Sequence, residues 1–272
     1  MSGTSSSPAA ASAAAPLAGR HALVTGGARG IGAAVALELA RLGASVTITG
    51  RSIEALEARR DELRAATGRP VHAVRMDVTD PASVEDACAH ARRLLGPPAI
   101  LVNNAGAAES APFARTDLAL WRRMHDANAT GAFLCSRALL PDMLAAGWGR
   151  VVSIASTAGL RGVPYATAYT AAKHALVGLT RALALEVARS GVTVNAVCPG
   201  YTDTALVAGA VATIVAKTGR TAEEARAELV RGNPQGRLVR PEEVAAVVGW
   251  LCLPSSASTN GLALPVDGGE LA

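Results

Sequence analysis

Thr25-Gly26-Gly27-Ala28-Arg29-Gly30-Ile31-Gly32 follows the apolar run His21-Ala22-Leu23-Val24 and leads straight into an amphipathic stretch at 31–43. Glycines at 26, 30 and 32 permit a tight turn, close approach of a ligand to the backbone, and close packing of helix on strand. The free N–H groups of the helix start would then face a pyrophosphate. The spacing is G-x-x-x-G-x-G rather than G-x-G-x-x-G. It is not a P-loop, because no Gly-Lys-Ser/Thr follows. A glycine-rich turn can be mere punctuation, but its place after the first strand favours a ligand role.

Outward from this turn, short apolar runs alternate with longer amphipathic ones. Strands are expected at 21–25, 45–49, 71–76, 99–103, 150–155, 192–197 and 262–266. Helices are expected near 31–43, 52–66, 81–95, 117–146, 166–190 and 241–252. Such alternation reads as βαβ units, hence an α/β fold with a parallel sheet and helices on both faces. Ala99-Ile100-Leu101-Val102 and Val151-Val152-Ser153-Ile154 are apolar almost throughout, as strands buried on both faces should be. One domain, 19–272, accounts for the whole pattern. Residues 201–240 break the rhythm, with helical pieces at 205–217 and 221–231 and then Gly232-Asn233-Pro234-Gln235-Gly236. A long excursion of this kind is expected to be a substrate lid. Residues 1–18 are rich in Ser and Ala, lack the basic start and Leu-rich centre of a signal peptide, and are expected to be a disordered tail.

Composition narrows the function classes. The chain has 272 residues, 50% hydrophobic and 18% charged, enough for a substantial core. Aromatics are only 3%, so Ala, Val, Leu and Ile must build that core. The net charge of +4 comes without a Lys/Arg run interleaved with aromatics, which argues against nucleic-acid binding. No run of about 18 apolar residues predicts a membrane span. Cys88, Cys135, Cys198 and Cys252 have neither zinc-knuckle nor C-x-x-C spacing, and read as reduced thiols in the cytoplasm. No His/Asp/Glu cluster has metal spacing, so no metal is expected.

The end of the second strand reports on the ligand. A carboxylate there would bind a ribose 2′-hydroxyl and repel a 2′-phosphate. This chain reads Thr47-Ile48-Thr49-Gly50-Arg51-Ser52, with no acid before Glu54. Arg51 and Arg29 can instead pair with a 2′-phosphate. NADP(H) is therefore favoured, with NAD(H) as the alternative. Further along, Tyr169 and Lys173 stand four residues apart, on one face of a helix. An ammonium near a phenol favours the phenolate, so the Tyr169 pKa is expected to fall toward working pH.

These motifs, in this order, resemble the short-chain dehydrogenase/reductase family from about residue 20 to the C-terminus. The resemblance rests on Thr25–Gly32, Asp77-Val78, Asn103-Asn104-Ala105-Gly106, Asn128, Ser156, Tyr169, Lys173, Pro199-Gly200 and Val266-Asp267-Gly268-Gly269. It implies a Rossmann-like doubly wound sheet of about seven strands. It further implies that Ser156 donates to a substrate carbonyl and stabilises charge on its oxygen. Tyr169 would be the general acid in reduction and the base in oxidation. Lys173 would hold the nicotinamide ribose, and Asn128 a water linking Lys173 to solvent. Gly26, Arg29, Gly30, Ile31, Gly32 and Arg51 would bind the cofactor's phosphates. Asp77 and Val78 would border its adenine, and Asn104, Ala105 and Gly106 its adenosine half. Pro199, Gly200, Thr202 and Thr204 would contact the nicotinamide and phosphates, though Thr202 and Thr204 also suit helix N-capping. His125 and His174 are not expected to take part.

The stretch Ser153–Gly200 is especially similar to bacterial ketoreductases. A 3-oxoacyl-type substrate, as a CoA or carrier-protein thioester, is the expectation. Ala107-Ala108-Glu109-Ser110 stands where the polyketide enzymes carry a Pro-Gly-Gly-type motif, which weakens that branch. Arg161, Arg220, Arg231 and Arg237 could help bind an anionic carrier, with surface solvation the simpler reading for each. Alternatives are an NAD-dependent secondary-alcohol or 3-hydroxyacyl-CoA dehydrogenase, a non-catalytic nicotinamide-binding sensor, and an interaction protein using the N-terminal tail. The family suggests a homotetramer packed through the helices near 117–146 and 166–190, the latter lined with small residues such as Ala168, Ala172 and Gly178.

Overall fold

The computed structural model describes residues 15–272. Seven parallel strands form one sheet in the order β3-β2-β1-β4-β5-β6-β7. They are β1 His21–Thr25, β2 Ser45–Gly50, β3 Val71–Arg75, β4 Ile100–Asn103, β5 Gly149–Ile154, β6 Val192–Pro199 and β7 Ala263–Val266. Among the described residues, nine α-helices connect or follow them: α1 Gly30–Arg41, α2 Ile53–Thr67, α3 Pro81–Leu95, α4 Leu118–His125, α5 Gly131–Ala145, α6 Thr167–Glu186, α7 Ala205–Thr218, α8 Ala222–Val230 and α9 Pro241–Cys252. The doubly wound sheet expected from the alternation is present.

Alternate residues of each strand serve opposite cores, as the period of two requires. Ala22 and Val24 pack with Val35, Leu39, Val244 and Val248 of α1 and α9. Leu23 packs with Leu101, Val151, Leu134 and Leu139 on the other face, against α3 and α5. Both sets are fully apolar, which is why the central strands show no polar alternation. Strand order reverses between β1 and β4, so a crevice opens at the carboxyl ends of the strands there.

Three expectations change. Leu17 is fully buried and its amide donates to the Leu42 carbonyl, while the Ala18 amide donates to Ala15. The packed domain thus begins at residue 15, inside the tail expected over 1–18; residues 1–14 lie outside those described. The single helix expected over 117–146 is interrupted by a wide π-turn at Asp126–Thr130. There the buried Asn128 turns its side-chain amide onto the Met124 carbonyl, 2.9 Å away, four residues back on the same helix. The helix expected to reach residue 190 ends at Glu186. Segment 201–240 contains α7 and α8, which bury little beyond Val207 and Ala225. A capping box, Thr221 with Glu224, starts α8, and Asp203 pairs with Arg226 at 3.0 Å.

His21 is a buried titratable group far from the crevice. Its Nδ1 lies 2.7 Å from the Gly96 carbonyl and its Nε2 lies 2.8 Å from Thr47 Oγ1. The carbonyl can only accept, so Nδ1 carries the proton and Nε2 accepts from the hydroxyl. Burial, the largest cause, pushes the imidazole down to about 4. The unfolded chain binds this proton near pH 6.5, so the neutral ring's contribution is complete above that value. It is lost as pH falls from 6.5 toward 4. Acid melts should show up to about 3 kcal/mol of stability lost across this window, and His21→Gln should flatten that part of the profile.

Candidate active site

The turn after β1 is built by contacts that leave no room for side chains. A Cβ on Gly32 would stand 2.3 Å from the Gly26 carbonyl oxygen and 2.4 Å from Asn104 Nδ2. Gly26 has φ +66 and Gly30 has φ +55, the left-handed region that glycine enters without strain. Thr25 Oγ1 accepts from the amides of Asn104 and Ala105, both at 2.9 Å. Asn104 Nδ2 returns two bonds, to the carbonyls of Thr25 at 2.8 Å and Gly26 at 3.1 Å. The turns after β1 and β4 are thus one unit across the switch point. At Arg29, the residue before α1, no side chain caps the helix, so its first amides are open to an anion. Glycine clearance, uncapped amides and the reversal of strand order together fit a dinucleotide pyrophosphate.

Arg29 and Arg51 are both exposed, and neither has an acidic partner among the described residues. Arg51 acts electrostatically on Asp77, whose carboxyl is held below its usual range first by the Thr79 amide and hydroxyl. A third arginine emerges here. Arg59 of α2 donates to the Ala28 carbonyl of the glycine turn at 3.2 Å. It sits two turns into α2, and nothing in its local sequence marks it. Val78 packs where a Cβ on Gly131 would stand, 2.9 Å away, at the head of α5.

At the carboxyl ends of β5 and β6 the structure gathers Ser156, Tyr169, Lys173 and Asn128. Lys173 is 5% exposed and its ammonium donates to the Ile154 carbonyl at 2.9 Å. Burial pushes it down to about 8. Its Nζ lies 5.7 Å from the centre of the Tyr169 ring. The expected lowering of Tyr169 does not occur in this state. Burial drives the phenol above its ordinary value, a hydrogen bond with Ser156 works against that, and Tyr201 and Cys198 add to the rise. The reason is desolvation: it opposes charge on the phenol and the ammonium alike. Asn128 Nδ2 donates to Ala107 at 2.8 Å, whereas its buried Oδ1 has no partner. That oxygen is 2.6 Å, and Lys173 Nζ 3.7 Å, from the point where a Gly106 side chain would begin. Gly106 therefore keeps open a polar space between Asn128 and Lys173, of the kind a bridging water fills.

The turn after β6 completes the crevice. Thr202 is buried and its hydroxyl donates to the Gly200 carbonyl at 3.0 Å. Thr204 precedes α7 but does not cap it; its hydroxyl donates to the Thr202 carbonyl. Its methyl lies 3.1 Å from where a Cβ on Gly30 would stand. The capping alternative thus fails for Thr204, which faces the glycine turn across the crevice. His174 and His125 point to the carbonyls one turn back, Thr170 and Trp121, away from this centre.

The sequence profile of the short chain dehydrogenase family matches residues 20–214. The chain belongs to this family. It is 42% identical over 254 residues to a cis-4-hydroxycyclohexanecarboxylate dehydrogenase of Sinomonas cyclohexanicum, covering 93% of this chain and 97% of that protein. It is 40% identical to a 3-oxoacyl-[acyl-carrier-protein] reductase of Pseudomonas aeruginosa, covering 93% and 98%. An actinorhodin polyketide ketoreductase crystallised with NADPH superposes with a TM-score of 0.89 at 39% identity, covering 92% and 97%. As a short-chain dehydrogenase, the protein is an NAD(P)-dependent oxidoreductase that interconverts ketones and secondary alcohols.

Lys173 carries a testable energetic signature. At pH 7 it is a buried ammonium with no carboxylate hydrogen-bonded to it, and a shift from 10.5 to about 8 costs the fold about 3 kcal/mol. Stability from this group is complete above the unfolded pKa of about 10.5 and is lost as pH falls toward 8. Without nucleotide, Lys173→Met should therefore raise the melting temperature at pH 7. Its gain over the parent should shrink as pH rises from 8 to 10.5.

Proposed function

We propose that this short-chain dehydrogenase uses NADPH to reduce a 3-oxoacyl-type ketone. Ser156, Tyr169, Lys173 and Asn128 carry the proton transfer, and the observation behind the reading is their convergence on the edge of the nucleotide crevice. Bound NADPH supplies the hydride to the carbonyl carbon. Tyr169, kept protonated by burial, gives its proton to the carbonyl oxygen. Ser156 donates a hydrogen bond to the same oxygen as charge develops on it. Lys173 holds the nicotinamide ribose and, through the space beside Asn128 Oδ1, returns a proton from solvent to Tyr169. A protonated phenol at neutral pH suits reduction; oxidation requires the phenolate.

The NADP(H) preference rests on two exposed arginines, Arg29 in the turn before α1 and Arg51 just after β2, where no carboxylate ends the strand to oppose a 2′-phosphate. Gly26, Gly30, Ile31 and Gly32 receive the pyrophosphate, Asp77 and Val78 the adenine, Asn104, Ala105 and Gly106 the adenosine half. Pro199, Gly200, Thr202 and Thr204 border the nicotinamide. The helices α7 and α8, loosely packed on the core, act as the lid within a single catalytic domain. Exposed Phe133 and Leu144 on α5 and Leu185 on α6 support packing into a homotetramer through these helices. Four buried, unpaired cysteines suit a reducing cytoplasm.

Two measurements test the reading. Steady-state kinetics on a 3-oxoacyl thioester should give a higher kcat/KM with NADPH than with NADH. Arg51→Ala should cut that preference about tenfold or more, as loss of one charge-assisted phosphate contact would. A parent enzyme that prefers NADH overturns the 2′-phosphate assignment. Tyr169→Phe should lower kcat at least about a hundredfold. Turnover within about tenfold of the parent, a barrier change of about 1.4 kcal/mol, overturns its acid–base role.

A further inference from the structure

Ser156 and Tyr169 are joined by a loop whose carbonyl at Tyr165 accepts from the Ala111 amide at 2.7 Å. Tyr165 itself takes φ +63, the left-handed region that a bulky side chain enters only under strain. This fastens the loop across the substrate side of the crevice. It also carries Arg161. The Arg161 guanidinium forms an ion pair with Glu270, whose carboxylate lies beyond the last strand and is only 5% exposed. The arginine side chain remains 45% exposed. One nitrogen, Nη2, meets Glu270; Nη1 and Nε have no hydrogen-bond partner among the described residues.

Four segments meet at this pair. A Cβ on Gly200, in the nicotinamide turn, would lie 2.8 Å from Glu270 Oε2. A Cβ on Gly232, at the end of the lid segment, would lie 4.0 Å from Arg161 Nη2. Tyr201 feels the charges of both Glu270 and Arg161, and Tyr169 feels Tyr201. The ion pair therefore sits against the turn after β6, and the guanidinium is held from behind by Glu270. Among the described residues no acid other than Glu270 pairs with it. Burial also raises the Glu270 carboxyl above its usual range, which weakens its neutralisation of the arginine.

We propose that Arg161 is a substrate-binding residue that takes a free carboxylate, so that the preferred ketone is a keto acid anion rather than its neutral ester or thioester. Glu270 takes one N–H of Nη2, and the other N–H of that nitrogen, together with its neighbour Nη1 or Nε, offers the planar pair that a carboxylate matches. A thioester offers no charge at this position, and desolvating the arginine against it would go uncompensated. This inference rests on the proposed ketone reduction and narrows its acyl group.

The test compares the full-length enzyme with NADPH on acetoacetate and 4-oxocyclohexanecarboxylate, on their methyl esters, and on acetoacetyl-N-acetylcysteamine. At least one keto acid should show a KM about tenfold or more below that of its ester. Arg161→Gln should raise that KM about tenfold or more, leave kcat within about threefold, and leave the ester's constants within about twofold. Arg161→Lys should recover part of the loss. Esters or thioesters that outperform both acids in the parent overturn the carboxylate assignment while the reductase reading stands. Equal losses on acid and ester in Arg161→Gln overturn it too, and reduce the ion pair to a loop fastening. If the parent reduces none of these compounds, the 3-oxoacyl reading fails as well.

Discussion

The absence of a Cβ at Gly32 is the constraint on which the nucleotide half of the molecule depends. It lets the first turn of α1 sit against the Gly26 carbonyl and the Asn104 amide, which a single methyl group would push apart. Once those groups meet, Thr25 and Asn104 exchange hydrogen bonds across the switch point. The Thr25 hydroxyl accepts two amides and directs its proton toward Val102. Its capacity is then filled. The crevice therefore has rigid walls before any ligand arrives, and the uncapped helix start is aimed into it.

Burial sets the protonation states of the other half. Lys173 and Tyr169 lie in one desolvated region, and desolvation resists charge on both. The lysine is pushed toward neutrality and the phenol is held protonated. The partners that would relieve this are polar groups from four places: Ile154 at the end of β5, Ser156 just beyond it, Asn128 in the π-turn, and solvent through the gap at Gly106. A π-turn inside a helix is uncommon and tends to occur at functional sites. Here it aims one buried acceptor into that gap. The fold thus carries the cost of a buried ammonium in order to keep a proton path beside the phenol.

On the substrate side the packing is of another kind. The walls are a strained loop, the C-terminal tail, the turn at Gly200 and the stretch around Gly232 that follows α8. They meet at Arg161 and Glu270 rather than in an apolar core. Specificity can change there without disturbing the sheet, because no strand residue takes part.

The sequence by itself determined the sheet and most of the crevice. Strands buried on both faces must be apolar throughout, and a glycine-rich turn between strand and helix has few uses, so both are written in local pattern. The spacing of Tyr169 and Lys173 followed from helix geometry. Only the tertiary structure decided their electrostatics. Spacing suggested that the ammonium would lower the phenol's pKa, but desolvation, which depends on everything packed around the pair, dominates. The break at Asn128 was hidden because Asp126–Thr130 contains neither proline nor glycine to mark it. Arg59 on the glycine turn and Arg161 on Glu270 were hidden for a simpler reason. Their partners lie 31 and 109 residues away in the chain, and a long-range polar contact leaves no periodic trace in sequence.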